Sequence, residues 1–220
     1  MSAPRAVVPR PVTPQGLVAH VAERILAAPV PQAPRSPGVL RVLLDGHPTT
    51  RPGDLADGLV EPLRAAGRPV ARVRVDDFLR PASLRLERGR EDPDAFLEER
   101  VDVAALDREV LGPLGPGGEG RYLPSLRDAA TDRPTRAGYL TAAPGTVLLL
   151  DGALCLGLGL RVDLTVHLAV REATLARRVP ASEAWTLAAC ARYRREVEPE
   201  RAADVVARVD HPDRPALVLG

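Results

Sequence analysis

Three separate stretches of this chain, Val39 to Leu44, Thr146 to Leu150 and Asp163 to Val170, are short, almost continuous apolar runs set between turn residues. A strand with one wet face alternates apolar and polar positions. One that is apolar at successive positions is covered on both faces, as in a parallel sheet held between two layers of helices. Pro69 to Val75 reads as a further strand, and Asp204 to Val209 and Ala216 to Leu219 supply final strand material. Helical spacing fills the intervals. Asp54 to Ala66 is stopped by Gly67, Asp102 caps a helix running to about Leu111, and helices at Arg171 to Val179 and Ser182 to Val197 follow the later strands. Strands alternating with helices predict an α/β fold: a doubly wound parallel sheet with helices on both faces.

Upstream, Thr13-Pro14 caps an amphipathic helix with apolar positions at Leu17, Val18, Val21, Ile25 and Leu26, and a proline-rich linker follows from Pro29 to Pro37. The chain therefore divides into residues 1–38, a helix and linker packing on the core, and residues 39–220, the main domain. At 220 residues and 45% hydrophobic it can bury one substantial core. Its thirty basic residues are all arginine and face twenty-nine acidic ones, for a net charge of +1. That balance gives no pull toward nucleic acid or membrane. With aromatics at 3%, an arginine-rich RNA-binding or scaffold protein is disfavoured too. No stretch reaches membrane-spanning length and no charged-then-apolar leader opens the chain, so a cytoplasmic location is expected. Cys155 and Cys190 are isolated, lack metal-ligand spacing and read as reduced, buried packing residues.

The stretch from Val42 to Asp54 has a strand, a glycine, a short loop and a helix start. That frame grips phosphates when it carries G-x-x-x-x-G-K-[ST], because successive backbone N–H groups, a lysine and a metal-binding hydroxyl converge there. Gly46 stands at the first glycine. Arg51, Pro52 and Gly53 then occupy the places of the second glycine, the lysine and the hydroxyl. Proline removes a donor as well as a charge, and Asp54 sets a negative charge in the first helical turn. Two readings stay open: an ordinary strand-to-helix turn, or a surviving phosphate site built from Gly46, His47, Thr49, Thr50 and Arg51, with Arg51 supplying the charge.

In doubly wound sheets ligands bind beyond the carboxyl ends of the strands, and here those ends are acidic: Asp45, Asp76, Asp77 and Asp151. Such carboxylates could hold magnesium or accept a hydroxyl proton, and solvated turn residues would look the same. His167 lies within an apolar strand and reads as a hydrogen-bonded core residue; Trp185, at a helix start, reads as a core or docking residue.

Taken together, the loop at Gly46, Val75-Asp76-Asp77-Phe78, Asp92-Pro93-Asp94-Ala95-Phe96, Leu114 to Tyr122, Val147 to Gly152, Leu175-Ala176-Arg177-Arg178 and Ala203 to Val206 resemble the uridine kinase family, particularly the uridine-kinase-like proteins of high-GC bacteria. The resemblance implies a P-loop NTPase-like fold and ATP-dependent, magnesium-assisted phosphorylation of a nucleoside 5′-hydroxyl. It places Asp76 as the base, Asp151 near magnesium, and Arg177 and Arg178 on the phosphates. Asp77, Phe78, Asp94, Phe96 and Asp128 fall on the substrate side. Relatives insert a mobile lid after the basic pair, whereas Val179-Pro180-Ala181-Ser182 leads here almost directly into the next helix.

Two functions follow. One is an ATP-using nucleoside kinase with arginines replacing the lysine; the other is a non-catalytic relative that binds a nucleoside, a nucleotide or a protein partner and needs no cofactor. A homo-oligomer stays open in either case.

Overall fold

The computed structural model describes residues 9–32 and 36–218. Part of the proline-rich linker and Leu219 of the expected last strand lie outside the described residues. Strands β1 (Arg10–Pro11), β2 (Leu40–Gly46), β3 (Val70–Arg74), β4 (Val147–Ala153), β5 (Leu164–Ala169), β6 (Val205–Arg208) and β7 (Ala216–Val218) form one seven-stranded sheet. Its order is β1-β7-β6-β5-β2-β4-β3. The five strands from β6 to β3 are parallel, and β7 and β1 add an antiparallel edge. The two-residue β1 was not anticipated; it contains Pro11, which an outer strand tolerates because no neighbour needs its missing N–H.

The helix α1 (Pro14–Ala27) starts at its expected cap, α2 (Pro52–Ala65) and α3 (Glu172–Arg178) lie within two residues of their expected bounds, and α4 (Thr186–Val197) starts four residues later than Ser182, after a 3-10 turn at Ala181–Glu183. Thr13 Oγ1 accepts the Gly16 N–H at 3.0 Å to open α1, and Gly67 takes a left-handed φ of 76° just past α2. On one face of the sheet, Leu17, Val21 and Ile25 of α1 and Leu55, Leu59 and Leu63 of α2 pack over Leu40, Val42 and Leu44. On the other, Leu43, Val73, Leu148 and Leu150 meet Phe78, Leu106 and Leu111. Alternate positions of one apolar run thus serve two cores, which is why the run had to be continuous.

Two local departures have clear causes. The expected helix after Asp102 is α-helical only over Val103–Leu106, then widens to a π turn at Asp107–Leu111, with Gly112 N–H donating to Asp107 O at 2.7 Å. Pro113, lacking an N–H, ends it. Within the apolar β2 run, Arg41 is buried because Asp163 grips its guanidinium at 2.7 and 2.9 Å.

The chain leaves β2 for β3, returns through β4 to one side of β2 and crosses to β5 on its other side. The carboxyl end of β2 is therefore the switch point of the sheet, where loops diverge and leave room for a ligand. No helix among the described residues is long and apolar enough to cross a membrane.

Candidate functional site

The loop after β2 begins at Gly46, where no side chain fits: a Cβ would lie 2.4 Å from Thr50 Oγ1 and 3.2 Å from Leu168 O. The loop then closes on itself. His47 caps a single 3-10 turn, Pro48–Thr50, and its Nδ1 accepts the Thr49 N–H at 3.1 Å. Thr50 N–H donates to His47 O at 2.8 Å, Arg51 N–H to Pro48 O at 3.0 Å and Asp54 N–H to Arg51 O at 3.1 Å. Pro48 and Pro52 have no N–H, so Gly53 has the one N–H from residue 48 to 54 without a partner inside the loop. Donors that would have to converge on a phosphate are already spent. Arg51 takes φ 53°, ψ 61°, a left-handed conformation natural to glycine. Apart from that of Gly53, the N–H groups of this loop turn inward.

Between this loop and the ends of β3 and β4 lies a cleft of about 550 Å³. Arg51, Asp54, Arg72, Asp76, Asp77 and Asp151 line it. Burial pushes the Asp151 carboxyl up from its ordinary pKa, against the opposing effect of Arg72, whose Nη1 stands 2.7 Å from Asp151 Oδ1. Asp77 is raised mainly by burial as well. A phosphate-bound magnesium ion does not fit this donor set. Asp151 is committed to Arg72, Gly53 offers no hydroxyl, and no group of three or more His, Cys, Asp or Glu among the described residues is placed to hold a metal.

On the other side of the loop, Thr49, Thr50, Arg51 and Arg178 line a cavity of about 420 Å³ walled by Leu17 and Val18 of α1. Arg177 is exposed and reaches Thr174 of its own helix at 3.3 Å. From α3 to α4 the chain makes one 3-10 turn, Ala181–Glu183, with no inserted segment.

A third pocket, about 280 Å³, shares Asp76 with the cleft. Phe96 and Trp185 meet edge to face in its wall at 5.4 Å, and the Arg100 guanidinium lies 4.7 Å over the Phe96 ring. Asp76 is partly exposed, with Oδ1 3.4 Å from Arg100 Nη1. Aromatic walls with a carboxylate and a guanidinium suit a flat, hydroxyl-bearing ligand. The pocket brings in Trp185, which the sequence placed in the core or a docking role, and also Arg85 and Arg100. Thirty arginines gave no signal for singling those two out.

Three substrate-side candidates lie outside the lining of these pockets. Phe78 is wholly buried in the core behind β3 and β4 and presents nothing to a ligand. Asp94 is tied at 2.9 Å to Arg192 in an exposed ion-pair network with Glu98 and Glu196. Asp128 accepts the Ala130 and Thr131 N–H groups at 2.9 and 2.8 Å; it caps a turn, and these bonds hold its pKa down.

Asp45 fits neither reading of the strand-end acids. It ends a strand but is 0% exposed, and its carboxylate accepts the Cys155 N–H at 2.6 Å, His167 Nδ1 at 2.7 Å and the Tyr193 hydroxyl at 2.7 Å. It is an internal anchor. His167 is the hydrogen-bonded core residue expected, and Cys155 and Cys190 are free and buried.

Strand order, the glycine turn at the switch point and the helix that follows define the class: the chain has the fold of the P-loop kinases. The particular likeness is to a possible uridine kinase from Bacillus stearothermophilus, at TM-score 0.68 and 20% identity over 86% of this chain and 96% of that one. A candidate fructose transport system kinase from Silicibacter sp. TM1040 matches at TM-score 0.56 and 26% identity, over 87% and 93%. The YGR205w protein matches at TM-score 0.54 and 8% identity, over 95% and 100%. These likenesses agree with the uridine-kinase-like resemblance of the sequence. No family model matches the chain, and no curated protein matches it.

Proposed function

We propose that this protein is a non-catalytic relative of the nucleoside kinases, which binds a nucleoside-like small molecule beside Asp76 without using ATP. The supporting observation is the internal hydrogen bonding of the loop: Thr49, Thr50, Arg51 and Asp54 have no N–H to offer a triphosphate, and no lysine stands nearby. Phosphoryl transfer depends on positioning and charge neutralisation around the transferred group, for which this loop offers Arg51, already paired with Asp54, and the single N–H of Gly53. On the ligand side, Phe96 and Trp185 supply faces for a base, while Asp76 and Arg100 supply partners for sugar hydroxyls.

A second reading, a working kinase, is favoured by Arg51 and Arg178 lining one cavity beside Thr49 and Thr50. There the arginines would meet the phosphates and Asp76 would take the hydroxyl proton. Arginine's planar fork is a poor substitute for a lysine point charge inside a backbone cradle.

Calorimetric titration with a nucleoside panel and with ATP-magnesium separates the two. We expect a nucleoside to bind, Trp185→Ala to weaken it, and ATP-magnesium to give no heat at millimolar concentration. Micromolar ATP binding together with turnover abolished in Asp76→Asn would establish the kinase instead.

A further inference from the structure

Behind the loop, between the end of β5 and α4, lies a cavity of about 270 Å³ that neither reading uses. Pro48 and Arg51 of the loop line the acidic cleft, whereas His47 lines this cavity. We propose that it is a binding site for a small carboxylate with a compact apolar body.

Three features point there. The His47 ring is 4% exposed, and its Nδ1 is occupied as acceptor of the Thr49 N–H. Burial first, and then the charge of Arg194, hold its pKa down to about 4 and keep the ring neutral; with Nδ1 accepting the Thr49 N–H, and the Thr49 hydroxyl 2.9 Å from the same nitrogen, the tautomer that fits carries its proton on Nε2. That Nε2 has no hydrogen-bond partner among the described residues. A buried donor left unpaired is costly, and a partner from outside the chain relieves it.

Arg194 lines the same cavity and donates to Val170 O at 2.7 Å, but has no carboxylate partner among the described residues. Acidic residues at the rim are already neutralised, Glu198 by Arg201 at 2.6 Å and Glu200 by Arg208 at 3.1 Å. Arg194 is thus the lining guanidinium left without a carboxylate partner among the described residues, with the buried Asp45 carboxylate behind His167 and Tyr193. The remaining wall joins apolar Leu154, Val170, Leu175 and Cys190 to His167 and Tyr193, whose Nδ1 and hydroxyl are already engaged by Asp45. An acid whose oxygens meet His47 Nε2 and Arg194 and whose body lies among these side chains matches all three. A fully hydrated phosphate would waste the apolar wall. Because His47 Nδ1 holds the Thr49 N–H, occupancy also stiffens the loop, which links this cavity to the cleft.

The test is a titration of the isotope-labelled full chain with isobutyrate, followed by amide NMR and melting temperature, with isobutyramide and inorganic phosphate as controls. We expect saturable shifts at the Thr49 amide and a raised melting temperature with isobutyrate alone. Arg194→Gln, on a half-exposed position, should weaken binding roughly tenfold or more through loss of the charge-assisted bond. Leu175→Trp, which fills the cavity, should abolish it. No saturable shift with isobutyrate, equal shifts with isobutyramide, or undiminished binding in Arg194→Gln would each overturn the proposal. So would a ligand-soaked crystal with only a water on Nε2. Nucleoside binding in the aromatic pocket is a separate measurement, so either proposal can fail alone.

Discussion

His167 Nδ1 lies 2.7 Å from Asp45 Oδ2, between residues that sit level with each other on neighbouring parallel strands β5 and β2. Tyr193 on α4 donates to the same oxygen, and the Cys155 N–H to the other. One buried carboxylate thereby joins the two central strands, the turn after β4 and the helix that closes the back of the loop. A buried charge is tolerable only when it is fully partnered, and here it is.

Tyr193→Phe removes one donor from that charge and nothing else. Burial and the Asp45 carboxylate raise the Tyr193 phenol, so it is a hydroxyl donor at every working pH. We expect a loss of about 1.5–3 kcal/mol, the range for hydrogen bonds to charged groups. Chemical denaturation of the two proteins measures it, and an unchanged midpoint would contradict the anchoring role.

His47 imposes a pH dependence of stability. Its folded-state pKa is lowered from 6.5 to about 4, so between those values the unfolded ring takes up a proton that the folded ring refuses. Stability contributed by the neutral ring is complete above about pH 6.5 and falls as the pH drops toward 4, by roughly 3 kcal/mol in full. The difference in unfolding free energy between the native chain and His47→Gln, measured from pH 7.5 to 4, should follow this course.

Arg51 holds a left-handed backbone that costs a non-glycine residue about 1–2 kcal/mol. Its ion pair with Asp54 at 3.1 Å is well exposed on both sides and adds little. Arg51→Gly should therefore stabilise the protein by up to about 1 kcal/mol, part of the gain being offset by glycine's greater unfolded freedom. Thermal unfolding reads this directly, and a lower melting temperature would show that the guanidinium makes an unrecognised contact.

If missing groups alone silence the loop, restoring them should bring ATP back. The combined variant Arg51→Gly, Pro52→Lys and Gly53→Thr supplies a permissive backbone, a cation, an added N–H and a hydroxyl next to Asp151, from whose Oδ2 a Cβ at position 53 would stand 3.1 Å. Calorimetry should detect ATP-magnesium binding to this variant and none to the native chain. Equal behaviour of the two proteins would shift the cause to the internally bonded turn at Pro48–Thr50.

Phe78 and Phe96 separate structure from binding. Phe78→Ala should cost about 3–5 kcal/mol, because the ring is wholly buried. Phe96→Ala should cost less and reduce nucleoside affinity, since Phe96 lines the pocket with Trp185 and Arg100. Paired denaturation and binding curves would check both.

The fold was largely legible. Apolar runs, caps and the stop at Gly67 act over a few residues, so they located β2, β5 and α2 to within two residues, the start of α1, and β4 to within three. The site was legible in part. Asp76, Asp77, Asp151 and Arg51 do gather in one cleft, as residues beyond neighbouring parallel strands must. Asp94 and Phe78 sit in similarly promising motifs and point elsewhere, because the face a side chain takes after a strand depends on turns that motif spacing does not encode. The short helix-to-π stretch before Pro113 was likewise invisible to periodicity.

Chain chemistry alone settled which groups the loop lacks: these 220 residues include no lysine, and two prolines can never donate. Whether the remaining N–H groups could still serve a phosphate was decided only in three dimensions, where the turn at Pro48–Thr50 consumed them. So was the fate of Asp45, whose partners lie 110, 122 and 148 residues away. Backbone donors and buried charges are satisfied by whatever the packed chain brings within hydrogen-bond reach, and that proximity is a property of the fold rather than of any local run of residues.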